Sequence, residues 1–176
     1  MQRTIRILGV PMDLGQSRRG VDMGPSALRY AHLQARLEGL GHMVHDAGNV
    51  AVPNPEEDVA GGSNGRLLAV SRVCQTVYET ARAWVADGDF AVFLGGDHSI
   101  SVGSIAAAAG RGPVGVIWVD AHSDYNTPET SPSGNLHGMP LAALVGEGPE
   151  ALVRVGAAEP TLKTSQIVQL GIRNLD

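Results

Sequence analysis

The chain has 176 residues, of which 43% are hydrophobic, and these values are typical of one domain with one buried core. The formal net charge of −5 argues against a general nucleic-acid binder, because phosphate contacts need a basic face. Cys74 is the single cysteine, which excludes a disulfide within the chain and fits a reducing, cytoplasmic location.

The predicted elements alternate between short β-branched runs and longer amphipathic stretches. The first run, 4–10, predicts a strand and is too short for a signal peptide or a membrane span, so we expect no membrane association. Pro25 suits the first turn of a helix that should end at Gly41, and Asn64 is predicted to cap a long helix. The predicted strands are 4–10, 43–46, 90–94, 114–119 and 166–172, and the predicted helices are 25–40, 64–87, 99–109 and 137–145. The buried stripe of the first helix is predicted at Leu28, Leu33, Leu37 and Leu40.

Strands that alternate with helices imply an α/β fold with a parallel sheet. The run 114–119 is nearly continuous in apolar residues, which is the clearest pattern of a buried strand in the chain and is typical of parallel sheets. The last strand is followed only by residues 173–176, whereas a parallel strand normally leads into a crossover helix. We therefore expect residues 1–176 to be the N-terminal portion of a single, longer domain.

Two clusters of metal-ligand side chains directly follow predicted strands, at the edge where α/β sheets place ligands. The first, 95–99, is a Gly-Gly turn that either presents His98 to a ligand or only caps a helix. The second, 120–124, places Asp120, His122 and Asp124 on one face if the backbone is extended. A buried strand has little reason to end in such groups unless they are paired or bound to metal. Mixed carboxylate and imidazole ligands suit Mn²⁺, and also Fe²⁺ or Zn²⁺.

A third cluster, 131–138, is a polar, tightly turning loop that offers hydrogen-bond donors and the imidazole of His137 for proton transfer. A helix-capping loop is the alternative interpretation. In the first two clusters, the set His98, Asp120, His122 and Asp124 suggests part of a two-metal site, in which the ions lie about 3.5–4 Å apart. Such a site usually needs more carboxylates than the two at 120 and 124, and the chain contains no later D-x-D motif.

These segments resemble the ureohydrolase family, and the arginases within it. The resemblance rests on G-G-D-H-S at 95–99, V-D-A-H-S-D-Y-N-T-P at 119–128, S-G-N-L-H-G-M-P at 133–140 and the opening stretch 9–25. It covers essentially the whole chain and implies a three-layer α-β-α fold with a parallel sheet.

The resemblance also implies a binuclear manganese site. His98 and Asp124 would bind one Mn²⁺, His122 would bind the other, and Asp120 would bridge the two. Asp124 would orient a metal-bridging hydroxide that attacks the guanidinium carbon of L-arginine, giving urea and L-ornithine. His137 would carry a proton to the leaving amine.

The resemblance places the substrate's α-carboxylate on Asn126, Ser133 and Asn135, with His122 also at the substrate side. Asp176 is matched, by a weaker alignment, to a carboxylate that contacts the α-amino group. Agmatinases act on a substrate without an α-carboxylate, so the pattern at 126 and 133–135 favours arginine over agmatine. Members of this family are homotrimers or homohexamers when complete.

Two other interpretations stay open at this point, and two more are disfavoured. An agmatinase-like ureohydrolase would share the metal ligands. A non-catalytic fragment is the second alternative, because the family's D-x-D aspartates come from a later part of the chain. A binuclear metallophosphoesterase is disfavoured, since its D-x-H motif comes first in the chain, whereas here 95–98 precedes 120–122. A dinucleotide site is disfavoured because no G-x-G-x-x-G follows the first strand.

Overall fold

The computed structural model describes residues 2–54, 62–156 and 160–175. Within these ranges the strands are β1 (Thr4–Val10), β2 (Met43–Asn49), β3 (Phe90–Gly95), β4 (Val116–Val119) and β5 (Ile167–Leu170). The helices are α1 (Gly24–Tyr30), α2 (Leu33–Gly39), α3 (Gly62–Asp87), α4 (Ser101–Ala109), α5 (Pro140–Leu144) and α6 (Glu150–Val153). Short 3₁₀ turns lie at Val21–Met23, His98–Ile100, Leu136–Gly138 and Thr164–Gln166. None of the helices in these ranges is long and apolar enough to cross a membrane.

The strands form parallel sheets, which confirms the predicted α/β class. One sheet has the order β2-β1-β3, and β4 pairs with β5 separately. Alternate residues of β1 point to opposite faces. Leu8 and Val10 pack with α3 and α4, whereas Ile5 and Ile7 pack with residues of β2, β3 and α2. Helices therefore cover both faces of the central strand.

The single helix predicted at 25–40 is wrong. His32 has φ 60°, in the left-handed region, and separates α1 from α2. This break shifts the helical phase, so the predicted stripe does not stay on one face. Leu33 and Leu37 pack against the β1–β2 cluster, but Leu28 is 43% exposed and Leu40 is 73% exposed.

The predicted apolar face of the long helix is confirmed, but its start is not. Val70, Val73, Cys74 and Val77 are buried in the main core. Helix α3 begins at Gly62, so Asn64 lies inside the first turn and does not cap the helix. The prediction failed because Asn is favoured at the cap but tolerated one turn in, and sequence alone does not separate the two positions.

The strand predicted at 114–119 is observed as β4, but it is buried on one face only. Trp118 is buried, but Ile117 is 70% exposed and Val119 is 73% exposed. Trp118 packs against Leu141, Leu144 and Leu162 on one face of the β4–β5 pair. On the other face, Val168 and Leu170 are also about half exposed, so nothing in the described ranges covers that side.

Candidate active site

The turn after β3 aims His98 into the site, and glycine makes this turn possible. Gly96 has φ +57°, and a Cβ there would lie 2.5 Å from the Val10 carbonyl oxygen and 2.6 Å from that of Met12. Asp97 caps the next 3₁₀ turn, since its carboxylate accepts from the Ser99 N–H at 3.0 Å and from the Ser99 hydroxyl. The capping interpretation therefore holds for Asp97, and it leaves the neighbouring imidazole available for a ligand.

Asp97 also ties this turn to the loop that follows β1. Its Oδ2 accepts the Gly15 N–H at 2.7 Å. Burial raises the pKa of Asp97, and its hydrogen bonds from Ser99 and Gly15 offset only part of that rise. A Cβ on Gly15 would lie 2.5 Å from the Ser99 hydroxyl oxygen and 2.7 Å from Asp97 Oδ1. Only glycine fits at position 15 without displacing the Asp97 and Ser99 side chains.

His98 lies between two carboxylates. Its Nδ1 is 2.9 Å from Asp120 Oδ2 and 2.8 Å from Asp124 Oδ2. Its ring stacks on Trp118 with centroids 4.1 Å apart, which restricts the ring plane. Burial lowers the pKa of His98, but the hydrogen bond and charge of Asp124, with those of Asp120, outweigh burial and raise it above its ordinary value. The arrangement favours a positive charge at this point, carried either by a proton or by a metal ion.

The three ligand atoms of His98, Asp120 and Asp124 lie within 4.8 Å of one another. His122 stands at the edge of this group, with Nδ1 3.5 Å from Asp120 Oδ1. The two oxygens of Asp120 thus face two different imidazoles. Burial raises the pKa of Asp120, but the backbone N–H of His122 and the charge of His98 outweigh burial and lower it.

Backbone contacts hold the 120–124 segment in place. The Ala121 carbonyl accepts from the N–H groups of Arg173 and Asn174, and the Asp124 carbonyl accepts from the Leu141 N–H at 3.0 Å. Asp124 has φ 47°, so the extended backbone expected for this segment ends there. A left-handed conformation at a non-glycine residue is costly and concentrates at functional sites.

The metal-ligand group lies in a cavity of about 790 Å³. Every predicted site residue in the described ranges lines it: His98, Asp120, His122, Asp124, Asn126, Ser133, Asn135 and His137. Asp176 lies outside the described residues. The cavity therefore joins the three sequence clusters and is lined by carboxylates, imidazoles, hydroxyls and amides.

The loop after β1, which Asp97 holds through its hydrogen bond to Gly15, also positions the backbone of His137. The His137 N–H donates to the Gly15 carbonyl at 2.9 Å, so Gly15 bonds both to Asp97 and to the backbone of His137. Sequence reasoning missed this link, and it also missed Gln16 and Asn174, which line the cavity. For Gln16, the available sequence signal was its position in the opening motif. For Asn174 there was none, because the contact of 173–174 with the second cluster is visible only in the fold.

Comparisons with known proteins agree with this geometry. The family model described as "Arginase family" matches residues 3–176. Arginase from Bacillus subtilis is 45% identical over 180 residues, covering 100% of this chain and 60% of that protein. The native structure of arginase from Bacillus caldovelox has a TM-score of 0.93 and 47% identity, covering 99% of this chain and 59% of that one.

An arginase from Entamoeba histolytica, solved in complex with L-ornithine, has a TM-score of 0.85 and 36% identity, covering 100% of this chain and 60% of that one. The chain thus spans about 60% of the length of the curated relatives it matches. From the family match over residues 3–176 we conclude that the chain belongs to the arginase family.

Proposed function

We propose that this chain is the metal-binding, N-terminal part of an arginase that hydrolyses L-arginine to L-ornithine and urea. The observation that carries the proposal is the position of His98 between Asp120 and Asp124, inside a cavity that Asn126 and His137 also line. Family membership supports an amidine hydrolase, and the cavity's donors support an amino-acid substrate.

The donor set fits Mn²⁺. One imidazole nitrogen and two carboxylate oxygens converge, and this mixture of hard and borderline ligands suits manganese. Asp120 presents one oxygen toward His98 and the other toward His122, so its carboxylate would help to hold metal on both sides. Bound Mn²⁺ would lower the pKa of water and so supply a nucleophile near neutral pH.

The chain's own residues would orient the reaction around that water. Asp124 accepts a hydrogen bond from the nucleophile through its carboxylate and fixes its direction of attack. His137 holds a proton on its imidazole and passes it to the amine that leaves as the C–N bond breaks. A C–O bond forms at the guanidinium carbon as the C–N bond breaks, so urea carries the oxygen of the water and ornithine leaves as the protonated amine.

Selection for arginine would come from the polar loops. The amide of Asn126, the hydroxyl of Ser133 and the amide of Asn135 line the cavity and can donate to an α-carboxylate. A guanidino substrate without that carboxylate would not form these hydrogen bonds and would therefore bind more weakly. We therefore propose arginine as substrate and agmatine as the poorer competitor, and a cytoplasmic location in keeping with the single buried thiol.

The test is urea release from L-arginine and from agmatine by the purified chain, with and without Mn²⁺. Manganese-dependent release from arginine, with little from agmatine, supports the proposal. Release mainly from agmatine would favour an agmatinase-like enzyme. Two bound Mn²⁺ without release from either substrate would favour a non-catalytic metal-binding part, and cleavage of a phosphate ester would contradict the proposal altogether.

A further inference from the structure

The hydroxyl of Thr130, which does not line the cavity, hydrogen-bonds to the side-chain amide of Asn126, which does. The Thr130 hydroxyl oxygen accepts the Thr127 backbone N–H at 2.8 Å and donates to Asn126 Oδ1 at 2.8 Å. A carbonyl oxygen can only accept, so the single proton of the hydroxyl is committed to Asn126.

The backbone around this pair is closed by further hydrogen bonds. The Asn126 N–H donates to the Gly138 carbonyl at 3.0 Å, and the Thr130 N–H donates to the Thr127 carbonyl at 3.2 Å. The side chain of Asn126 is attached to this fixed backbone and is 8% exposed. Rotation of the terminal amide would exchange the positions of the carbonyl oxygen and the NH₂ group.

The hydrogen bond from Thr130 opposes that rotation, because only the carbonyl end of the amide can accept it. With Oδ1 held, the NH₂ group is the other end of the amide and keeps its role as a donor. The reversed amide would turn its carbonyl oxygen toward the position of a ligand carboxylate, and two acceptors repel each other. A neighbouring hydroxyl thus decides whether the amide attracts or repels an anion.

We propose that Thr130 is a positioning residue that fixes the Asn126 amide as a donor to the carboxylate of an amino-acid substrate. This inference rests on the proposed function, because it takes the anionic ligand to be that α-carboxylate. Thr130 would then favour ligands that carry a carboxylate over their decarboxylated analogues, although it contacts neither kind of ligand itself.

The test compares Thr130→Val, which removes the hydroxyl, with Thr130→Ser, which keeps it. Thr130 is exposed, so both variants should fold. Thr127→Val is the matched control, because the Thr127 hydroxyl accepts a 3.3 Å bond from the Glu129 N–H and hydrogen-bonds to the Glu129 carboxylate, both within the same turn. Binding of L-ornithine and of 1,4-diaminobutane, its decarboxylated analogue, is measured by calorimetry in Mn²⁺.

Thr130→Val should raise the Kd for L-ornithine about two- to tenfold, the worth of one neutral hydrogen bond. The Kd for 1,4-diaminobutane should not change, and Thr130→Ser and Thr127→Val should bind L-ornithine as the wild type does. Equal weakening of both ligands in Thr130→Val, or no weakening of either, would overturn the inference.

If the wild-type chain does not bind L-ornithine, the proposed function fails for this chain, and the inference is decided by NMR. The side-chain NH₂ signals of Asn126 are recorded in ¹⁵N-labelled, metal-free protein. A change in Thr130→Val that Thr130→Ser restores supports the positioning role. Signals that are the same in all three proteins overturn it.

Discussion

Replacing Asp124 with Asn removes one of the three ligand groups that meet at His98 while keeping the shape of the side chain. Asp124 is 5% exposed, and its Oδ2 lies 2.8 Å from His98 Nδ1. An amide carries no negative charge to offset that of a metal ion. Because even residues that only support a ligand contribute about ten- to hundredfold to metal affinity, we expect Asp124→Asn to weaken Mn²⁺ binding by at least that range.

This loss of affinity appears as a loss of stabilisation by metal. At a free Mn²⁺ concentration of about 100 times the wild-type Kd, binding adds about 2.7 kcal/mol to the free energy of unfolding. A Kd that is tenfold higher reduces this gain to about 1.4 kcal/mol, and a hundredfold higher Kd reduces it to about 0.4 kcal/mol. The gain in Asp124→Asn should therefore be half that of the wild type or less.

The assay is guanidinium-induced unfolding followed by circular dichroism, with and without MnCl₂. Glu150→Gln is the matched control, because it makes the same chemical change at a side chain that is 74% exposed and pairs with Arg154 on the surface. The control should keep the full gain. The reasoning is refuted if Asp124→Asn gains as much from Mn²⁺ as the wild type and the control.

Three further predictions concern the fold. Asp46→Asn should lower the free energy of unfolding by about 1 kcal/mol at neutral pH, because Arg29 donates two charge-assisted hydrogen bonds to that carboxylate and both side chains are largely shielded from water. The Arg29 hydrogen bond holds the Asp46 pKa below its ordinary value. The stabilisation by this ion pair is therefore present above pH about 4 and is lost as the pH falls through the folded-state pKa. Denaturation of the wild type and Asp46→Asn at several pH values checks this. Gly103→Ala should destabilise by about 1–3 kcal/mol in the same unfolding assay, since a Cβ there would overlap the Cys74 carbonyl oxygen, while Gly39→Ala, where a Cβ meets nothing within 4 Å, should not. Burial raises the Cys74 pKa to about 12, so its thiol should resist alkylation at neutral pH until the chain is unfolded; rapid labelling of the folded protein would contradict this.

The strands and the main core could be predicted from the sequence because their signals are local. The β-branched runs set β1 and β3, and apolar residues at helical spacing set the buried face of α3. The break at His32 could not be predicted, because a left-handed conformation is usually marked by glycine and none is present there. The exposure of Ile117 depends on which elements cover the β4–β5 pair, and an apolar run does not contain that information.

The sequence motifs led to most of the residues discussed here that line the cavity, but not to the contacts that position them. The rule that ligands gather at the carboxyl ends of parallel strands led to His98 and Asp120, although their strands belong to different sheets. The rule does not give the roles of Gly15 and Thr130. Both act through contacts between loops, and loop contacts follow from the folded arrangement of several elements, not from any one segment.

The central claim is that His98, Asp120 and Asp124 hold manganese in this cavity. The most direct test is anomalous diffraction at the manganese edge from crystals of this chain grown or soaked with Mn²⁺. We expect a peak within coordination distance of His98 Nδ1 and of one carboxylate oxygen each from Asp120 and Asp124. Any second peak should lie between Asp120 and His122. Manganese peaks only at other positions would contradict this claim. So would crystals with Mn²⁺ in which His98 Nδ1 still bonds directly to the carboxylates of Asp120 and Asp124.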